Sequence, residues 1–138
     1  RRSDGTLHLY RILTTGALRY VKQVGTGWNG MTWIVGMGDL SGDGRGDVVA
    51  IRYDGAMFAY QSRSDGTLGS ARYVGGGWGP MVSVVSPGDV NKDGLGDLYG
   101  FTPTGDLYFY AGKSIGVRSG AKVSSPKVPF WADVESLR

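Results

Sequence analysis

The sequence contains no cysteine, one histidine (His8) and one glutamate (Glu135). Without cysteine, the chain has no disulfide, no thiolate zinc site and no cysteine nucleophile. A single glutamate cannot form the pair of glutamates used in glycoside hydrolysis, although aspartate pairs are present. Two short loops contain six of the 12 acidic residues, so few carboxylates remain for acid–base chemistry. We therefore expect that this chain alone is not an enzyme.

The sequence also lacks a run of 18 apolar residues and an N-terminal signal pattern. No transmembrane helix is predicted, so we expect a soluble chain with no membrane partner and, if it is secreted, one whose leader has been removed. Intrinsic disorder is not expected, because the hydrophobic content is 41% and includes 8 tyrosines, 4 tryptophans and 4 phenylalanines. A length of 138 residues suits a single domain.

Glycine, in contrast, is abundant and follows a repeat. The 25 glycines show no collagen-like G-X-Y period. Instead, glycine and aromatic residues recur every 50 residues, without a gap from residue 4 to residue 116. The aligned positions include Gly5, Gly55 and Gly105; Tyr10, Tyr60 and Tyr110; and Trp28 and Trp78. An internal repeat of this length indicates one supersecondary unit copied along the chain.

Two loops at this spacing, residues 39–47 and 89–97, both read D-x-[S/N]-x-D-G-x-G-D. Clustered carboxylates repel one another unless a cation lies among them, and calcium takes about 6–8 oxygen ligands from loops of this kind. We therefore predict two Ca²⁺ sites. Their ligands would be the side chains of Asp39, Ser41, Asp43 and Asp47 with the Arg45 carbonyl, and those of Asp89, Asn91, Asp93 and Asp97 with the Leu95 carbonyl. The alternative is two aspartate- and glycine-rich turns without an ion.

Each unit reads as four short strands separated by turn-rich segments. In the middle copy the strands are predicted near Trp33–Met37, Val48–Arg52, Ala56–Gln61 and Ala71–Val74. Asp-Gly pairs between apolar runs favour hairpins, and strands that are apolar at nearly every position are covered on both faces. Small sheets stacked blade against blade provide such cover. We therefore predict an all-β fold of β-propeller blades, each with four antiparallel strands.

The repeat divides the single domain 1–138 into segments. Residues 4–28 form a half repeat, residues 29–78 and 79–128 form two repeats, and residues 129–138 form a tail that is expected to add a closing strand. Propellers normally have about 4–8 blades, so these units are too few for a ring. We expect a partial propeller, either part of a larger chain or a protomer that completes its ring as a homo-oligomer.

The Asp loops, their flanking strands, the Gly-Trp pairs and the Asp-Gly turns before strands that end in tyrosine resemble the FG-GAP/VCBS repeat. The likeness is to the version of roughly 50 residues found in secreted actinobacterial proteins. It covers about residues 4–116. It implies a calcium-stabilised propeller of the integrin-α type, an extracellular location, and an accessory binding role beside a hydrolase or peptidase domain. Ser41 departs from the commoner Asp or Asn at its position.

The net charge of the chain and two of its tryptophans indicate what such a module would bind. The net charge is +3, and without the six carboxylates of the two loops it would be +9. A positive surface favours anionic glycans, cell-wall polymers or nucleic acid, but no aromatic-flanked basic cluster supports nucleic acid. Trp28 and Trp78 follow flexible Gly-x-Gly segments and would form the floors of shallow sugar pockets; packing between blades is the alternative. The three aligned tyrosines are expected in the core.

Together these features predict a calcium-stabilised extracellular module that binds glycan or cell-wall material. Two alternatives stay open. One is a non-catalytic fragment of a larger secreted hydrolase or peptidase. The other is a protein–protein adhesion module in the manner of integrin heads.

Overall fold

The computed structural model describes residues 1–123, which consist largely of antiparallel β-strands. The first sheet has two strands, β1 (Leu7–Ile12) and β2 (Leu18–Gly25). The middle sheet has four, β3 (Met31–Gly36), β4 (Val48–Arg52), β5 (Met57–Tyr60) and β6 (Arg72–Gly75). The last sheet also has four, with a hairpin inserted before its final strand: β7 (Ser83–Gly88), β8 (Asp97–Phe101), β9 (Leu107–Tyr110), the hairpin strands β10 (Gly112–Lys113) and β11 (Gly116–Val117), and β12 (Ala121–Val123).

Strand β4 lies in the interior of the middle sheet, between β3 and β5. Val49 pairs with Val35 on one side and with Ala59 on the other. Val49, Ala50 and Ile51 are all at most 1% exposed. Both faces of β4 are therefore covered, which is why this strand is apolar at successive positions instead of alternating with polar residues.

The structure confirms the predicted fold class, an all-β arrangement of four-stranded antiparallel units. The predicted strand Val48–Arg52 has the same bounds in the structure, and the other three strands of the middle copy differ by one or two residues at their ends. The sheets lie within the predicted segments 4–28, 29–78 and 79–128. The expected closing strand in 129–138 lies outside the described residues. Ring closure stays a prediction.

None of the helical turns within residues 1–123 has the length and apolar character needed to cross a bilayer. The three-residue 3₁₀ turn Trp28–Gly30 separates the first sheet from the middle one. Its tryptophan is buried at the boundary between these sheets. Short turns of this kind therefore serve here to join sheets.

The turn of the β4–β5 hairpin is joined through Gly55 to the connection that leads from β6 to the next sheet. The Gly55 carbonyl accepts a hydrogen bond of 3.1 Å from the Trp78 N–H. The backbone of Gly55 has a φ of 81°, and a Cβ there would lie 2.5 Å from the nitrogen of Gly79. Only glycine satisfies both conditions. The same bond recurs at 3.0 Å between the Gly5 carbonyl and the Trp28 N–H, so this junction is part of the repeat.

Aromatic stacking joins neighbouring sheets. The rings of Trp28 and Tyr60 have centroids 4.8 Å apart, and those of Trp78 and Tyr110 are 4.4 Å apart. Both tyrosines are partly buried, and burial raises the pKa of each hydroxyl. Tyr10 differs from the expected core position, because it is 43% exposed in the two-stranded first sheet. The aligned tyrosines are therefore core residues only where a tryptophan covers them.

Hairpin tips make a second kind of contact between units. The Lys22 ammonium in the first sheet lies 3.5 Å from the carboxylate of Asp65, which is at the hairpin tip of the middle unit. In the next unit, the N–H of Ile115 at the tip of the β10–β11 hairpin donates to the Leu40 carbonyl at 2.9 Å. Each tip therefore lies against the unit that precedes it in the chain.

We expect that Trp78→Ala destabilises the fold by about 3–5 kcal/mol, because it removes a buried indole and leaves a cavity between two sheets. Trp78 is 6% exposed. Urea unfolding followed by circular dichroism measures the effect. Tyr53→Ala, at a tyrosine that is 78% exposed, is the control and should change stability much less. Equal losses for the two variants would show that Trp78 does not join the sheets.

The pKa of Asp65 is lowered from 3.8 to about 2. The main cause is the Thr67 hydroxyl at 2.6 Å, supported by the Thr67 N–H at 2.9 Å. A lowered pKa means that the ionised carboxylate favours the folded chain above pH 3.8, and that this contribution is lost as the pH falls through about 2.

Thr67→Val keeps the backbone donor and removes the hydroxyl, so the pKa of Asp65 should rise from about 2 towards 3.8. Carboxyl chemical shifts recorded during an NMR titration measure it. Thr6→Val removes the equivalent hydroxyl beside Asp4 and should leave Asp65 unchanged. An Asp65 that still titrates near its original value in Thr67→Val would contradict the assigned cause.

Candidate functional site

The two Asp loops are adjacent in space. Loop 39–47 connects β3 to β4, and loop 89–97 connects β7 to β8. The Gly96 N–H donates to the Asp39 carbonyl at 3.0 Å. A Cβ on Gly96 would lie only 2.6 Å from the nitrogen of Gly38, so the two backbones meet with no side chain between them. The repeat therefore places both candidate metal loops at the same edge of successive sheets.

In the first loop, the Asp39 carboxylate holds the turn together. One oxygen accepts the N–H groups of Ser41, Gly42 and Asp43, and the other accepts the Gly44 N–H at 2.6 Å. Desolvation by the surrounding loop is the largest single effect on the pKa of Asp39 and raises it, but the backbone donors together lower it below its usual value. The carboxylate is therefore ionised and already surrounded by donors.

Asp43 faces side chains as well as backbone. One of its oxygens accepts the Arg45 N–H at 2.9 Å, and the other accepts the Arg45 guanidinium at 2.9 Å and the Gln61 amide at 3.3 Å. Desolvation raises the pKa of Asp43, and these donors, with Ser41, outweigh it and lower the pKa. The predicted side-chain ligands Asp39, Ser41 and Asp43 are thus neighbours in the structure.

The second loop repeats this pattern with its own residues. Asp89 accepts the N–H groups of Asp93 and Gly94, at 3.1 and 2.8 Å. The Asn91 amide donates to Asp93 at 3.0 Å, and the Leu95 N–H donates to the same carboxylate at 3.0 Å. The structure therefore brings Asp89, Asn91 and Asp93 together around one turn, as it does Asp39, Ser41 and Asp43.

The last aspartate of each motif has a different environment. Asp47 is 2% exposed and Asp97 is 0% exposed, the two buried charged residues in the described part of the chain. Asp47 accepts the N–H groups of Leu40 at 3.0 Å and Ser62 at 2.9 Å, one on each oxygen. Its partners lie in the loop and in the segment after β5. Because Val48 pairs with Tyr60, this segment emerges at the same edge of the sheet as the loop, and Asp47 ties the two together.

Asp97 does the same in the last unit. One oxygen accepts the N–H groups of Val90 at 2.8 Å and Asn91 at 3.2 Å, and the other accepts the Gly112 N–H at 2.9 Å. Ionised acceptors make the stronger class of hydrogen bond, so these bonds stabilise both ends of the connection. This anchoring role was not predicted from the sequence. The available signal was that the aspartates come directly before the apolar runs Val48–Ile51 and Leu98–Phe101, where a carboxylate needs backbone partners.

The donor set of each loop suits calcium, since it consists of carboxylate, hydroxyl, amide and carbonyl oxygens. Within residues 1–123, however, no three His, Cys, Asp or Glu side chains are grouped as a metal site. The carboxylates instead accept hydrogen bonds from the N–H groups of their own loops. This is the arrangement expected if the loops are aspartate- and glycine-rich turns that bind no ion. Calcium would have to replace some of these donors, Arg45 and Gln61 on Asp43 first, because they are side chains that can turn away. The two Ca²⁺ sites stay a prediction.

The geometry of Trp28 and Trp78 favours the packing alternative. Their side chains are 5% and 6% exposed, and each indole is stacked on a tyrosine of the next sheet. An open groove of about 340 Å³ borders Trp78 and is also lined by Gly76, Lys113 and Arg118. The indole contributes only its rim to this groove, since the residue is buried. Little ring surface is therefore exposed for a sugar to pack against.

The family model for the FG-GAP-like repeat matches residues 39–100. The matched stretch begins at the first aspartate of the first loop and extends through the second loop into β8. It supports the FG-GAP resemblance there; such repeats are typically non-catalytic, extracellular-type binding or adhesion modules. No curated protein and no solved structure matches the chain.

We expect that Asp97→Asn lowers the free energy of unfolding by about 1–3 kcal/mol, because the amide –NH₂ must face a buried N–H donor. The experiment is urea unfolding in the presence of EDTA, so that loss of an ion ligand does not contribute. Asp54→Asn, at a carboxylate in an exposed turn, is the control and should have a smaller effect. If Asp97→Asn were as stable as the unmodified chain, the anchoring role would be wrong.

Proposed function

We propose that this chain is a calcium-stabilised extracellular binding module for glycan or cell-wall material. The observation that carries the proposal is the FG-GAP-like match over residues 39–100, because it spans both Asp loops. FG-GAP-like repeats are typical of modules that bind outside the cell. The binding of calcium and of glycan are the two parts of the proposal that need experiment.

Calcium would act on stability and not on chemistry. The ligands would be those predicted from the motif, with Asp39 and Asp43 central in the first site and Asp89 and Asp93 in the second. Leu40 is the one large apolar side chain that the glycine-rich first loop buries, and a bound cation would hold the rest of each loop in one conformation. Extracellular calcium modules bind with dissociation constants of about 10⁻⁴–10⁻³ M, which suits calcium levels outside the cell. Binding to the folded chain alone raises its stability.

Glycan or cell-wall material is favoured by the charge of the chain. Without the six carboxylates of the two loops its net charge would be +9, and bound calcium would offset those carboxylates. Such a surface attracts anionic polymers and raises their local concentration. The described chain also contains open polar grooves with arginine and serine linings. These features suit a polymer with many weak contacts better than one small, enclosed ligand.

A single experiment on the purified chain tests both parts. Thermal melting and retention on isolated cell-wall material are measured in 10 mM calcium and in EDTA, for the unmodified chain and for Asp93→Ala. We expect EDTA to lower the melting temperature by about 5 °C or more, and Asp93→Ala to lose most of the calcium response of the second site. Asp54→Ala is the control, since Asp54 lies in an ordinary turn outside both loops.

An unchanged melting curve in EDTA removes the calcium part of the proposal. Retention that disappears after protease treatment of the wall material would replace the glycan ligand by a protein, as in an adhesion module. If the chain is retained neither on untreated nor on protease-treated wall material, a binding role of this chain alone is contradicted. The alternative that it is a fragment of a larger hydrolase is then favoured. The intact mass of the natural product then decides that last alternative.

A further inference from the structure

The 50-residue repeat places a basic residue at one position in all three units: Lys22, Arg72 and Lys122. In two of them the cation has a carboxylate partner. The Lys22 ammonium is 3.5 Å from Asp65, and the Lys122 ammonium is 2.8 Å from Asp106. Arg72 forms no ion pair with any residue in the described part of the chain. Of these three equivalent basic residues, Arg72 is therefore the one without a carboxylate partner among the described residues.

Ala56 stands where the last unit has Asp106, and the hairpin tips differ as well. Asp65, the partner of Lys22, lies 50 residues before Ile115. The second junction has therefore kept the basic residue and has isoleucine in place of the acid. The Ile115 N–H is fixed to the Leu40 carbonyl at 2.9 Å, so the tip still docks on the preceding unit. The contact between units is kept, but the anionic group at Arg72 is missing.

An open groove lies where that carboxylate would be. It has a volume of about 590 Å³ and is lined by Arg72 and Ile115, with Arg45, Arg63 and Asp43 on its other sides. The ionisable side chains of the lining give a net charge of +2. Arg63 donates to the Leu68 carbonyl at 2.9 Å and has no carboxylate partner within residues 1–123. The lining thus offers two guanidinium groups without a counterion.

The rest of the lining is suited to a sugar. Arg72 is paired in register with Ala59, so both project from the same face of the sheet. Ala59 itself is buried beneath the groove, and the partly exposed Ile115 supplies the apolar surface for the C–H face of a sugar ring, with Ser62, Ser64 and Ser70 lining the groove around it. Pockets with an apolar floor and a few polar groups are the usual form of ligand sites.

We propose that this groove binds an acidic sugar unit of an anionic polysaccharide, whose carboxylate or phosphate lies against Arg72 in the place that the Asp65 carboxylate has beside Lys22. Guanidinium groups bind both anions through paired hydrogen bonds, so the two sources share one recognition chemistry. Asp43 does not repel the ligand strongly, because Arg45 and Gln61 bind its carboxylate here, and a calcium ion that displaced them would itself balance the charge of Asp43. The inference rests on the proposed function and names its class of glycan.

The test compares Arg72→Gln with Lys22→Gln by isothermal titration calorimetry and by retention on immobilised polymer. The probes are polygalacturonate for the carboxylate, poly(glycerol phosphate) for the phosphate, neutral dextran, and double-stranded DNA. Arg72→Gln should weaken binding to one or both anionic glycans by about tenfold, because one charge-assisted contact is lost. Lys22→Gln removes the same unit of charge at the satisfied position and should leave binding unchanged.

A third variant, Ile115→Asp, restores the missing acid. Ile115 has a φ of 50°, a region in which aspartate is tolerated better than isoleucine. The new carboxylate should pair with Arg72 and abolish glycan binding although every arginine is still present. Circular dichroism and the melting temperature show whether the variant is folded. If it is not, the comparison of Arg72→Gln with Lys22→Gln decides by itself.

Equal weakening by the Arg72 and Lys22 variants would mean that only net charge matters and would overturn the site. So would DNA binding as strong and as dependent on Arg72 as glycan binding, because the groove would then recognise anions without a sugar. Retention of neutral dextran with no effect of Arg72→Gln overturns this inference and leaves the proposed function in place. Failure to retain any of the glycans overturns both.

Discussion

The fold depends on backbone N–H groups that are held by buried carboxylates. Asp47 and Asp97 accept bonds from two segments each, one in the Asp loop and one 15 residues further along the chain. A loop rich in glycine has few side chains to bury, Leu40 being the exception, and a carboxylate fixes the rest of the loop by binding its backbone directly. Since breaking such a bond leaves a buried charge without a partner, the loop and the end of its sheet are expected to unfold together.

Two further contacts connect the units once each loop is fixed. Tryptophans stack on tyrosines of the following sheet, and hairpin tips lie against the preceding unit through Asp65 or Ile115. The first contact is apolar and the same at both junctions. The second is an ion pair at one junction and, at the other, a backbone hydrogen bond beside an apolar side chain. The units are therefore equivalent in architecture but differ in the chemistry they present at their surface, and a binding specificity can develop at one junction without affecting the fold.

Much of this architecture is predictable from the sequence, because a 50-residue repeat aligns turns, strands and loops without a gap. The strand Val48–Arg52 is predicted with its observed bounds, since its continuous apolar character requires cover on both faces. Strand ends such as Met31 are less predictable, because hydrogen-bond partners in the neighbouring strand decide them. Spacing alone also cannot tell whether Asp47 turns outward to an ion or inward to the backbone, or that the indole of Trp78 is covered by another unit.

The contact between Gly38 and Gly96 has a consequence for how such chains diversify. The two loops meet through main-chain atoms, with room for no Cβ on Gly96. Because main-chain atoms form this contact, it does not depend on the side chains elsewhere in either unit. Gene segments that encode single units can therefore be duplicated or lost without disturbing this contact, provided that the position of Gly96 remains glycine. Natural variation in unit number is the expected evolutionary outcome.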